Sequence, residues 1–77
     1  MKIKLRLFST LRRYAPAGED GSEREVAQGS RVGEVMAGLG IPSETMAVIL
    51  VNGLLADQDK ELAPGDELVL FPPVEGG

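Results

Sequence analysis

The two ends of this chain alternate. Ile3, Leu5 and Leu7 are interleaved with Lys2, Lys4, Arg6 and Phe8, and Leu68 and Leu70 with Glu67, Val69 and Phe71. Side chains of a strand point to opposite faces with period two, so each segment is a strand with one face in the core and one outside. A fold for this chain has to bury both ends against a common element. If the two strands are neighbours, Phe8 and Phe71 share the outer face, at the end where the chain leaves the last strand. The basic residues of one strand then lie beside the acidic residues of the other.

The common element is a helix. Val32, Val35, Met36 and Leu39 fall at i, i+3, i+4 and i+7, a single apolar stripe. Ser30 is placed to cap it, and Glu34 lies in the first turn, where the helix dipole favours a carboxylate. Residue 33 is Gly, so a capping box from Ser30 is absent. Gly33 and Gly38 weaken the helix by about 1 kcal/mol each relative to Ala, a cost consistent with close packing on a sheet. Gly40 ends the helix and Pro42 prevents its resumption.

Between these elements the punctuation is clear. "STLRRYA" leaves the first strand as a short helical turn packing Leu11 and Tyr14, "PAGEDG" is a turn, and "SEREVA" is a second strand. "MAVILV" (46–51) is a continuous apolar run, expected to be buried on both sides. Asn52-Gly53 is a hairpin turn, and Leu54 and Leu55 begin a short return strand. Pro64-Gly65 fits the centre of a type II turn before the last strand. Pro72 and Pro73 cannot donate to a ladder, so pairing stops there. The order is strand, strand, helix, strand, short strand, strand: an α+β domain with a mixed sheet and one main helix packed across one face.

Composition limits the chemistry. With 77 residues, no Cys and no His, the chain has no thiol, no disulfide and no imidazole, the commonest base and metal ligand at neutral pH. No metal site and no independent enzyme activity are expected. No stretch approaches the roughly 18 apolar residues of a membrane span, and the start is not a signal peptide, so the expected compartment is the cytoplasm. Five of the eight basic residues lie in the first 13 positions, against 12 acids elsewhere. The broad basic face of a nucleic-acid binder is missing. "GLGIPS" (38–43) lacks the last glycine of a dinucleotide fingerprint and is a helix stop.

That leaves "FPPVEGG" (71–77). Two prolines stiffen an arm that reaches about 20 Å beyond Phe71 at roughly 3.3 Å per residue. The two glycines carry no side chain and suit a channel too narrow for other residues. The α-carboxylate of Gly77, ionised above about pH 3.5, is a group that a second enzyme can adenylate.

"LAPGDELVLFPPVEGG" (62–77), "VNG" (51–53) and "KLRLFSTLRRY" (4–14) resemble the small subunit of molybdopterin synthase (MoaD), within the MoaD/ThiS family of ubiquitin-like sulfur carriers. The resemblance runs through essentially the whole chain and is most specific at its end. It implies a ubiquitin-like β-grasp fold, one domain over 1–77 with a flexible tail over 72–77. It also implies that a ubiquitin-activating-enzyme-like adenylyltransferase uses ATP and Mg²⁺ to activate Gly77, with no cofactor held by the carrier. A sulfur donor then gives a thiocarboxylate, and the large synthase subunit supplies the catalytic residues. Carried over residue by residue, Gly77 is the reactive group, Pro72, Pro73, Val74 and Gly76 are the tail, and Phe8, Leu55 and Phe71 are the contact surface. Glu75 stands at the family's variable position. Alternatives of the same fold are carriers for thiazole, cysteine, tRNA thiolation or a tungsten cofactor, and a ubiquitin-like protein modifier. A passive interaction module is the third class.

Overall fold

The computed structural model describes residues 1–15 and 23–73. The first strand, β1 (Lys2–Leu7), is followed by a 3₁₀ helix (Ser9–Tyr14), β2 (Glu23–Glu25), helix α1 (Val32–Gly38), β3 (Val48–Val51), β4 (Leu54–Ala56) and β5 (Glu67–Phe71). The turn expected at "PAGEDG" lies outside the described residues.

The strands form one sheet in the order β2-β1-β5-β3-β4. The first and last strands are parallel neighbours, with Leu5 opposite Leu68 and Leu7 opposite Leu70. The other three pairings are antiparallel. Parallel pairing of the chain's two ends is what lets one helix cover both. Ile3, Leu5, Leu7, Leu68 and Leu70 all face the core, where they meet Val32, Val35 and Met36 of α1 and Ile49 and Val51 of β3. Among the largest fully buried side chains are Ile3, Met36, Leu68 and Leu70. The architecture is that of a β-grasp.

The turns form as their residues require. Asn52 (φ 54°) and Gly53 (φ 83°) both take positive φ, the type I′ geometry that matches strand twist in a two-residue hairpin. The Asp66 N–H donates to the Ala63 carbonyl at 3.1 Å. Pro64 and Gly65 (φ 83°) stand at the two central positions of that turn, as type II needs. Gly40, also at φ 83°, closes α1 in a Schellman motif. There the Gly40 N–H donates to Ala37 and the Ile41 N–H to Met36, with both Ile41 and Met36 buried.

Three expectations need correction. Ser30 does not cap α1; its hydroxyl donates to the Ala27 carbonyl at 2.7 Å. The N-cap is Arg31, one residue later, which puts Glu34 at the third helical position, where its carboxylate accepts the Arg31 N–H at 2.9 Å. The opening N–H groups of the helix are satisfied by a distant loop, Val32 donating to the Lys60 carbonyl and Gly33 to that of Gln58. Gly33 is therefore small for that loop rather than for the sheet. A Cβ there would stand 3.1–3.3 Å from Gln58 atoms, including the backbone oxygen. Third, β3 is buried on one face only: Ile49 and Val51 are buried, Val48 and Leu50 half-buried.

The remaining elements follow the reading closely. Leu11 of the 3₁₀ helix is buried, and Tyr14 packs against the core. The second strand is shorter than "SEREVA", holding three residues. Among the described residues, no helix is long and apolar enough to cross a membrane.

Candidate functional site

The outer face of the sheet, opposite α1, is built by register. Val69 of β5 pairs with Arg6 on one side and Leu50 on the other, and Leu50 pairs with Leu55. Residues paired across strands share a face. Arg6, Val69, Leu50 and Leu55 thus make one row across four strands, about 14 Å long at roughly 4.8 Å per strand. The next row holds Phe71 opposite Val48. Phe8 joins it, because its N–H donates to the Leu70 carbonyl at 3.0 Å and carries the β1–β5 ladder one residue past the strand. Ser9 then takes φ 56° and turns the chain away into the 3₁₀ helix. Phe8 is left in extended geometry on the outer face.

The sequence-derived contact residues Phe8, Leu55 and Phe71 therefore share one face. Leu55 is 78% exposed and Phe8 40%, while Phe71 is half-buried between β1 and β3. Val48 and Leu50 belong to the same apolar surface. They were hidden in a run whose continuous hydrophobicity reads as burial on both sides. The missed signal was parity: residues 48 and 50 alternate with the core residues Ile49 and Val51. Scattered exposed apolar residues are ordinary, whereas contiguous apolar faces recur at sites of protein–protein contact.

Charge surrounds this face unevenly. Lys4 sits between Glu23 and Glu67 in register, and Lys2 opposite Glu25. Among the described residues, the ion pair within reach is that of the Met1 ammonium with Glu25, at 2.8 Å. It holds the Glu25 carboxyl below its usual range, ahead of the weaker influence of Lys2. The Arg6 guanidinium lies over the Phe8 ring, 5.5 Å from its centroid. Beside Leu55 opens a groove of about 400 Å³, lined also by Leu54, Ala56, Asp57, Asp59 and Lys60.

The chain leaves this face from β5. Phe71 is the last paired residue, as the two prolines demand, and Pro72 and Pro73 are half-buried. Val74, Gly76 and Gly77 lie outside the described residues. Among the described residues, no group of three or more carboxylates is placed to hold a metal ion.

The apolar sheet face and the chain end leaving the central strand sit on a β-grasp core. The sequence profile of the ThiS family matches residues 5–77. The chain belongs to the ThiS family. Solved structures of the same ubiquitin-like β-grasp fold support the assignment. SAMP1 of Haloferax volcanii is 30% identical over the whole of both chains, with a TM-score of 0.75. A putative molybdopterin converting factor subunit 1 from Pyrococcus furiosus is 30% identical over 96% of this chain and 99% of its own, with a TM-score of 0.76. In Helicobacter pylori, a structure holds subunits 1 and 2 of the molybdopterin-converting factor in complex; it is 25% identical over the whole of both chains, with a TM-score of 0.64. No curated protein sequence gives a significant match. The resemblance to MoaD/ThiS sulfur carriers is thus a family membership, and Phe8, Leu55 and Phe71 fall on one face of a ThiS-family domain.

Proposed function

We propose that this ThiS-family protein is the sulfur-donating small subunit of molybdopterin synthase. The observation that carries the reading is the juxtaposition of a contiguous apolar face with the strand from which "PPVEGG" departs. A carrier needs both: a surface that docks, and an arm that reaches the docked enzyme's active site.

The chemistry starts from a poor electrophile. A carboxylate resists attack by sulfur, so a ubiquitin-activating-enzyme-like adenylyltransferase, with ATP and Mg²⁺, must first activate it. An oxygen of the Gly77 carboxylate attacks the α-phosphorus of ATP and displaces pyrophosphate. A persulfide on the sulfur donor then attacks the acyl carbon and displaces AMP. A thiol cleaves the resulting acyl disulfide, leaving the thiocarboxylate on Gly77 and a disulfide on the thiol side. Gly76 and Gly77 have no side chains to obstruct a narrow channel, and Pro72 and Pro73 restrict the backbone where the tail, which continues through Val74, begins. The carrier contributes no base and no metal ligand. The thiocarboxylate is delivered to a large subunit that completes the synthase and holds the catalytic residues. Pro-Pro-Val before the glycines and the similarity to converting-factor subunit 1 both favour this acceptor. Oxygen-to-sulfur exchange in the intact mass of protein recovered from cells is the test, followed by transfer of that sulfur to the purified large subunit. A carrier recovered from active cells without exchange, and uncharged by the activating enzyme, would exclude the reading.

A second reading has an observation behind it. Small archaeal modifier protein 1 of H. volcanii is a solved relative, 28% identical over 95% of this chain. As a modifier, the protein would pass the Gly77 acyl group to lysine amines instead of taking up sulfur. Isopeptide adducts in cell lysate distinguish the two.

A further inference from the structure

We infer that Arg6 is the orienting charge of the docking face, and that the partner meeting this face carries a carboxylate at one end of its apolar surface. This rests on the carrier reading above and adds the partner's chemistry and the polarity of docking.

The row Arg6–Val69–Leu50–Leu55 has unlike ends. At the β1 end stands an exposed guanidinium. The register partner of Arg6 on β5 is Val69, whereas its strand neighbour Lys4 lies between Glu23 and Glu67. Arg6 lies instead over Phe8, an aromatic of the same face, at 5.5 Å. That contact holds the planar fork at the rim of the apolar surface, and such a fork matches a carboxylate bidentately. At the β4 end the row finishes on the exposed Leu55, and the groove beside it carries Asp57 and Asp59 together with Lys60. A partner carboxylate is attracted at the Arg6 end and meets no cation of the row at the Leu55 end. An apolar row has no direction of its own, and this asymmetry supplies one. Direction matters because the tail departs from Phe71, off the row's centre. A partner docked the wrong way round would not receive the arm in its active site.

The test measures association of the full-length protein with the purified activating enzyme from the same host, by stopped flow over a range of salt concentrations. Variants are Arg6→Glu, Arg6→Ala and Arg6→Lys, each checked by thermal melting. Arg6→Glu is expected to slow association on the order of tenfold at low salt, with the difference closing as salt rises. Arg6→Lys should associate near the wild-type rate, because steering needs only the charge, and dissociate faster, because an ammonium lacks the planar fork that grips a carboxylate. One Asp→Arg or Glu→Arg substitution on the enzyme's docking face should restore the Arg6→Glu variant. A folded Arg6→Glu variant with the wild-type rate and salt slope overturns the inference. So does Arg6→Lys falling as far as Arg6→Glu, which would show that packing on Phe8, not charge, is what counts. Failure of the wild-type protein itself to bind removes the carrier reading, and this inference with it.

Discussion

Asn52 and Asp66 tie two turns together: the Asn52 side-chain amide donates to one carboxylate oxygen of Asp66 at 2.9 Å. The other oxygen accepts the Ala63 N–H at 2.8 Å, and the Asn52 side-chain carbonyl accepts the Glu67 N–H at 3.0 Å. The β3–β4 hairpin is thereby fastened to the start of β5, the strand that delivers the tail.

This link makes stability depend on pH. The Ala63 N–H, and then the Asn52 amide, hold the Asp66 carboxyl below its usual range. A carboxyl lowered in the folded state stabilises above its unfolded pKa of about 3.9, and that contribution is lost as pH falls through the folded value. Asp66→Ala should cost about 1 kcal/mol at pH 7, the low end for a charged hydrogen bond because the group is partly solvated. Urea unfolding at pH 7 and near pH 3 should show the gap between wild type and variant closing in acid. A gap that is constant across that range would show the carboxylate to be irrelevant.

Two helix glycines should respond differently to Ala. At Gly38 a Cβ meets only the Arg24 side chain, at 3.9 Å, so Gly38→Ala should gain up to about 1 kcal/mol from helix propensity. Gly33→Ala should forfeit that gain, because its Cβ crowds Gln58 at 3.1–3.3 Å. Thermal melts of the two variants give the comparison directly, and equal stabilisation by both would contradict the packing described for Gly33.

On the outer face, Phe71→Ala should weaken association with the activating enzyme by about 2 kcal/mol, as expected of an aromatic anchor. Leu55→Ala should weaken it less while leaving the melting temperature unchanged, since that side chain is 78% exposed. The control is Leu68→Ala on the opposite face, fully buried, which should cost about 2–5 kcal/mol of stability. Calorimetric titration of folded Phe71→Ala with wild-type affinity would refute the docking face.

The tail prediction separates stability from activity. Deleting Gly77, adding one residue after it, or placing a bulky side chain at Gly76 should move the melting temperature little, because the core is assembled from residues between Ile3 and Leu70. Thiocarboxylate formation should nearly vanish in all three, since a displacement of about 1 Å at a reacting group can cost on the order of a hundredfold. Mass spectrometry after incubation with activating enzyme, ATP and a sulfur source reads this out. Wild-type charging of the extended protein would mean that Gly77 is not the reactive residue.

Much of the molecule was legible because its signals are local. The parity of Ile3, Leu5 and Leu7 and of Leu68 and Leu70, the helix stripe, and the turns at Asn52-Gly53, Pro64-Gly65 and Gly40 each depend on the conformations of a few adjacent residues. The alternation at both chain ends also placed Phe8 and Phe71 on the outside before any pairing was known. The helix start was misplaced at Ser30 because a side-chain cap is a local device. Here the N-terminal donors of Val32 and Gly33 are met by carbonyls of Lys60 and Gln58, more than twenty residues away.

By itself, the sequence determined which faces of the end strands are apolar, where the chain turns, and the chemistry of an arm ending in two glycines. Only the tertiary structure decided that Val48 and Leu50 are surface rather than core. Hydrophobicity along a strand reports that a residue avoids water, and not which neighbour covers it; α1 covers one side of β3 and leaves Val48 and Leu50 on the other side half-buried. The row from Arg6 to Leu55 likewise exists only through the register of four strands drawn from both ends of the chain. Pairing between residues as distant as Arg6 and Val69, 63 positions apart, is set by the closing of a shared core, which no local pattern encodes.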